Sequence, residues 1–175
     1  MKTLFLGLLM ALVTTATFAQ KEEKDEKIIK DSEKAKEGFL KDDPSMSKFF
    51  ESSYGYIILP NVGKGGLGVG AASGNGTAYE GGVLIGFANM TQVTVGFQAG
   101  GQAYSEVVFF ENEEAFVRFK ANKVEMSAQV SAVAAAAGAS ANAKYVDGVA
   151  VFTRTKGGLM YEASVGGQKF KYRAK

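Results

Sequence analysis

The sequence predicts an α+β protein: a curved, mainly antiparallel β-sheet, open or barrel-like, with helices at the N-terminal end and one short helix inserted mid-chain. Three observations predict it. From Tyr54 to Phe110 the charged residues are Lys64, Glu80 and Glu106 only, so most of that stretch folds inward or faces something apolar. Its apolar residues come in short β-type runs, whereas the residues before it follow a helical spacing. The chain also holds 22 glycines, which suits a strongly curved sheet. At 175 residues and 46% hydrophobic content, one domain with one core is the expectation.

Met1 to Ala19 reads as a secretory signal. Lys2 supplies the basic start, LFLGLLMALV the apolar run, and Thr17-Phe18-Ala19 the small-x-small pattern before Gln20. That run is short for a membrane span, which favours cleavage near Ala19 over an anchor. The expected location is therefore periplasmic or secreted, and the absence of cysteine suits the bacterial periplasm at least as well as an extracellular fluid. Residues 20–33 form a charged helical segment, and residues 34–175 a single domain.

Between Lys21 and Glu37 six lysines face seven acids, giving the i,i+3 and i,i+4 pairs of a solvated helix face. Ile28, Ile29, Ser32, Ala35, Phe39 and Leu40 mark the opposite, packing face. Asp43 and Pro44 make an N-cap and first position for a second short helix carrying Met46, Phe49 and Phe50. From Tyr54 the runs YGYIILP, LGVGAAS, VLIGFA, QVTVGFQ and AYSEVVFF read as five short strands separated by Gly, Asn and Pro. In QVTVGFQ the alternation predicts Val93, Val95 and Phe97 on a buried face and Gln92, Thr94 and Gln98 on a polar one. Asn75-Gly76 reads as a hairpin turn. Asn112 caps a two-turn helix, EEAFVRFK. Residues 124–143 suit either strand or helix; alternation of Val124, Met126, Ala128 and Val130 favours strand until about Val133. VDGVAVFT and GLMYEASVG are two further strand-like runs before a basic tail.

IILPNVGKGGLGVGAASG and VAVFTRTKGGLMYEASVG align without gaps, placing Lys64 on Lys156 and Leu67 on Leu159. Each copy reads as a strand, a KGGL bend and an alternating strand, a hairpin unit used twice. Gly63, Gly65 and Gly68 also satisfy GxGxxG. A dinucleotide site needs a helix to open behind those glycines, and no helical period follows Gly68, so the sheet-bend reading prevails. No nucleotide or nucleic-acid partner is expected.

Catalytic chemistry is thin. Histidine and cysteine are absent, which removes the commonest general base, the commonest metal ligand and the thiolate nucleophile. Glu80, Glu106 and Glu162, the carboxylates of the proposed strands, read as solvent-facing. No enzyme activity, cofactor or metal is expected. Charge points elsewhere: from Lys144 to Lys175 seven basic residues stand against two acidic ones, making the C-terminal end the candidate contact for anions.

SSYGYIILPNVGKGGLGVG, GFANMTQVTVGFQAGGQAYSEVVFFENEEAFVRFK and GVAVFTRTKGGLMYEASVGGQKFKY together resemble the SYLF domain family in its bacterial secreted branch, over Lys34 to Tyr172. The family binds phospholipids, including phosphoinositides in eukaryotic members, and some yeast members bind actin. The resemblance implies recognition of anionic lipid, with phosphatidylglycerol or cardiolipin as the bacterial counterparts. Actin is not carried over to an exported chain without the appended segments. Phosphate head groups call for cations and exposed backbone N–H groups, which lysine-glycine bends could offer. Lys64, Arg154, Lys156, Lys169, Lys171 and Arg173 are the expected lipid contacts. The alternatives are a structural outer-membrane β protein, opposed by the charged start, the mid-chain helix and the short strands, and an uncharacterised hydrolase.

Overall fold

A computed structural model describes residues 2–122, 132–134, 137–157 and 167–175 of the chain. It opens with helix α1 (Lys2–Asp42), followed by a 3-10 turn (Pro44–Met46) and helix α2 (Ser47–Ser52). Strands β1 (Gly55–Glu80) and β2 (Val83–Phe110) come next, then helix α3 (Glu113–Lys120). Strand β3 (Ala132–Ala134), a 3-10 turn (Ala139–Asn142), β4 (Val149–Gly157) and β5 (Gln168–Ala174) complete the order. Among the described residues no helix is long and apolar enough to cross a membrane.

The expected class holds, an α+β fold on a curved sheet, but the strands are fewer and longer than the runs suggested. The five runs between Tyr54 and Phe110 are two strands of 26 and 28 residues. Glycine and proline do not end them, because register irregularities at Leu59/Val62, Leu67/Val69 and Ala78/Tyr79 absorb the interruptions while the ladder continues. The KGGL stretch is thus not a bend: Lys64, Gly65 and Gly66 pair with Gln102, Gly101 and Gly100 inside the ladder. Strand also continues behind Gly68 as far as Glu80, so the GxGxxG spacing opens no helix.

Asn75-Gly76 is not the turn either, since Asn75 pairs with Asn89 and Gly76 with Ala88. The chain reverses at Gly81-Gly82, whose φ values of 56° and 81° suit a two-residue hairpin. Gly76 serves another purpose. A Cβ there would strike the Ile58 carbonyl oxygen, and one at Gly74 would lie 2.9 Å from Val62 Cγ2. The two halves of β1 therefore approach each other closely as the sheet curls back over itself.

The curl makes an inner and an outer face. Ile57, Leu59, Met90, Val108, Phe110, Val151 and Phe170 pack inside with Phe116 and Phe119 of α3. Tyr56, Ile58, Val107, Phe109 and Phe152 face outward and are covered by Ala35, Phe39 and Met46 from the N-terminal helices. Burial on both faces explains why YIILP and VVFF are continuously apolar. Among the described residues β1 pairs antiparallel with β2, β2 with both β4 and β5, and β3 runs parallel to β4; these ladders do not close into a barrel.

Asn112 caps α3 as expected, whereas Asp43 caps the 3-10 turn that leads into α2, and α2 itself has no side-chain cap. The Asp43 carboxylate accepts from Ser45 N–H, and Asn112 Oδ1 from Ala115 N–H at 3.0 Å. In QVTVGFQ the faces are the reverse of those expected where they are described: Gln92 is buried and Val93 is 68% exposed. Most of the ambiguous segment, and the GLMYEASVG run with Leu159 and Glu162, lie outside the described residues; of the former, Ala132–Ala134 are strand.

Candidate anion-binding face

Alternation along β5 sorts its side chains cleanly. Gln168 and Phe170 are buried inward with Tyr172 packed beside them, while Lys169, Lys171 and Arg173 are exposed on the outer face. Register sets these cations against Thr91, Asn89 and Phe87 of β2. The Arg173 guanidinium stacks 4.3 Å above the Phe87 ring and its Nη2 donates to Asp25 Oδ1 of α1 at 2.7 Å. That ion pair ties the middle of α1 to the outer face of β5.

Between helix and sheet runs a groove of about 360 Å³, to which α1 brings Lys21, Lys24 and Asp25 and β5 brings Lys171 and Arg173. Phe87 and Ile28 supply apolar surface, and Asn75 and Asn89 amides line the β1–β2 side. Asn89 Nδ2 donates to Asn75 Oδ1 at 3.2 Å. Four cations thus border a space with one carboxylate, already bonded to Arg173. Chemically, this arrangement suits an anion with an adjoining apolar part. A second hollow of about 490 Å³ continues past Arg173 toward Ile29 and Lys175.

The expected contacts do not all gather there. Lys169, Lys171 and Arg173 share one face. Arg154 also faces outward, but its Nε donates to Asp42 Oδ2 at 2.6 Å, near the far end of α1, roughly 25 Å along the helix from Asp25 at 1.5 Å per residue. Lys64 shares the alternation of Val62 and Tyr104 and so belongs to the inner face, half-buried. The side chain of Lys156 lies outside the described residues; its backbone sits at the irregularity where β4 meets Ala103 and Tyr104. Lys21 and Lys24, read in the sequence as a solvated helix face, are the residues sequence reasoning missed. Nothing local distinguished them from their charged neighbours. Strand β5 could have been found, because Gln168, Phe170 and Tyr172 alternate with three cations.

The carboxylates also differ from expectation. Glu80 is half-buried, accepting from Tyr54 Oη at 2.9 Å and from Lys120 Nζ at 3.0 Å. Glu106 is fully buried on the inner face, and burial pushes its carboxyl up to about 7, an effect that the hydrogen bond from Gln168 partly opposes.

Residues 91–175 match the family model described as Ysc84: Las17-binding protein actin regulator. The match begins in β2 and takes in α3, β4 and β5, so the groove's β5 side lies within it. The chain is also 27% identical over 137 residues to beta cell expansion factor A of Aeromonas veronii, an alignment covering 73% of this chain and 49% of that protein. It therefore spans about half the length of that relative. Over this C-terminal stretch the chain is similar to the Ysc84 (SYLF) domain family that its sequence motifs resemble.

Proposed function

We propose that this chain is an exported lipid-binding module that recognises anionic phospholipid head groups at the outer face of β5. The observation that carries the reading is the alternation that turns Lys169, Lys171 and Arg173 to one side, next to Lys21 and Lys24 across the groove. Cleavage near Ala19 would leave both of these lysines on the mature protein, in the periplasm or outside the cell. Lys64 and Arg154 are not assigned to the contact on this reading.

Each cation near an anionic surface contributes about 1 kcal/mol, so the set supplies roughly 4 to 5 kcal/mol, equivalent to a dissociation constant near 1 mM. Exposed Val93 lies on the same face, one alternation beyond Thr91, and its burial in lipid would add about 1 to 2 kcal/mol. Useful residence on a membrane then requires several copies acting together.

A structural outer-membrane barrel gains strand length from β1 and β2, but the cations on the outside of β5 stand where hydrocarbon would demand apolar side chains. Flotation with vesicles of phosphatidylcholine alone or mixed with phosphatidylglycerol, at low salt, tests the reading. Recovery is expected with the anionic vesicles only, and Lys169→Ala with Lys171→Ala should reduce it several-fold. Equal recovery with both vesicle types rules it out, and resistance of the membrane-bound protein to carbonate extraction would favour the barrel instead.

A further inference from the structure

The inner face of β5 holds a feature that the outer face does not use. Glu106 of β2 lies among Leu59 of β1, Thr153 of β4, Tyr104 of β2 and Gln168 of β5, all buried. Gln168 Nε2 donates to Glu106 Oε2 at 3.0 Å. Glu106 Oε1 and Gln168 Oε1, each shielded from solvent, have no hydrogen-bond partner among the described residues. A carboxylic acid and a primary amide can form two parallel hydrogen bonds, N–H to O and O–H to O, whereas a carboxylate and an amide can form only the first. One bond of that ring is present, and its two remaining oxygens are the two orphans.

We propose that Glu106 and Gln168 form a proton-operated latch on β5: a proton taken from solvent onto Glu106 Oε1 donates to Gln168 Oε1, closes the second bond, and fixes the strand. When that proton leaves, a buried carboxylate faces the Gln168 oxygen, and the inner anchor of β5 is reduced to one bond beside an unfavourable oxygen pair. Because β5 also carries Lys169, Lys171 and Arg173, its order sets the alignment of those cations. This consequence rests on the lipid reading above; the latch itself does not.

Among the described residues the surroundings show no substitute. Tyr104 is the titratable group that couples to Glu106 among the described residues, and burial holds its phenol well above its ordinary value of 10.0. Among the described residues the elements packed against Glu106 otherwise present Leu59, Thr153 and Gln168, none of them charged; Lys64, half-buried on the same inner face, lies further along β1, where it pairs with Gln102. The chain has no histidine or cysteine, so no other side chain ordinarily changes charge between pH 5 and 8. An anionic membrane concentrates protons at its surface, which would close the latch where the cations are needed.

The test is amide hydrogen exchange on the full chain without lipid, at pH 6 and pH 8 after correction for intrinsic rates. In the unaltered protein β5 amides should lose protection by about tenfold at pH 8, following the ionised fraction of Glu106. Glu106→Gln, whose amide makes both bonds at any pH, should keep β5 protected throughout; the α-amino group is common to both proteins and cancels. Gln168→Leu should leave β5 poorly protected at both values. A flat profile in the unaltered protein, the same loss in Glu106→Gln, or full protection in Gln168→Leu each overturns the latch. Flotation with phosphatidylglycerol vesicles then reads the consequence. Recovery higher at pH 6 than at pH 8, and level in Glu106→Gln, supports the coupling; exchange that responds to pH while no vesicles bind overturns the lipid reading and leaves the latch standing.

Discussion

Gly76 and Gly81 are both glycines of the β1–β2 hairpin, and they are needed for different reasons. Gly76 permits a backbone approach, since a Cβ would collide with the Ile58 carbonyl oxygen, which cannot swing aside as a side chain could. Gly81 has open space around it but holds φ at +56°. Alanine at Gly81 should therefore cost only the left-handed strain, about 1 kcal/mol, while alanine at Gly76 should cost about 3 kcal/mol or prevent folding. Urea denaturation of the two variants separates them, and similar midpoints would contradict the close-approach account. Asn75-Gly76 looked like a turn because residue type reports conformational permissiveness, and a sequence does not say whether that freedom serves φ or space. The Gly81-Gly82 pair carried an equally good turn signal. Only the continuous pairing of Asn75 with Asn89 decides between them.

At the scale of elements, two ion pairs among the described residues fasten α1 to the sheet, Arg154 with Asp42 and Arg173 with Asp25. Exposed pairs of this kind contribute about 0 to 1 kcal/mol each, so the buried Ala35 and Phe39 provide more of the attachment. The Asp25 pair matters more for charge, because Asp25 offsets one of the groove's four cations. Asp25→Asn should raise vesicle recovery about two- to fivefold at low salt with little change in stability, and the gain should vanish at high salt. Lower recovery would mean that Asp25 holds Arg173 in place for binding rather than competing with the ligand. Helix starts were legible because Asp43-Pro44 and Asn112 act locally, through hydrogen bonds to residues two or three positions away. The groove was not, because its two sides are separated by most of the chain, and Lys21 and Lys24 gain meaning only from the strand they face.

For the whole molecule, two buried carboxyls pull the pH dependence of stability in opposite directions. Asp43 is disfavoured as an anion by its burial, yet hydrogen bonds from Ser45, Ser140 and Gly138 outweigh this and hold it at about 2, below its ordinary 3.8. Its contribution is present above pH 3.8 and is lost as pH falls toward 2. Glu106 is displaced upward from 4.5 to about 7, so its contribution is present below 4.5 and is lost as pH rises through 7. Stability should therefore peak at roughly pH 4 to 5. Urea midpoints at pH 3, 5 and 8 should be highest at pH 5, and a midpoint still rising at pH 8 would show that Glu106 is not neutral in the folded chain.

The amino-acid sequence by itself determined the class of the fold, the caps of its short helices, the apolar middle of the chain and the excess of cations at its C-terminal end. These follow from local periodicity and composition, which need no knowledge of distant neighbours. Tertiary structure alone decided that five runs are two strands, that Gln92 and Glu106 point inward, and that Arg173 meets Asp25 while Arg154 meets Asp42. The physical reason is the curl of the sheet. Bulges let the ladder pass through glycine, and folding back over itself buries both faces of its strands, so which side of a strand is inside depends on contacts far away in the chain.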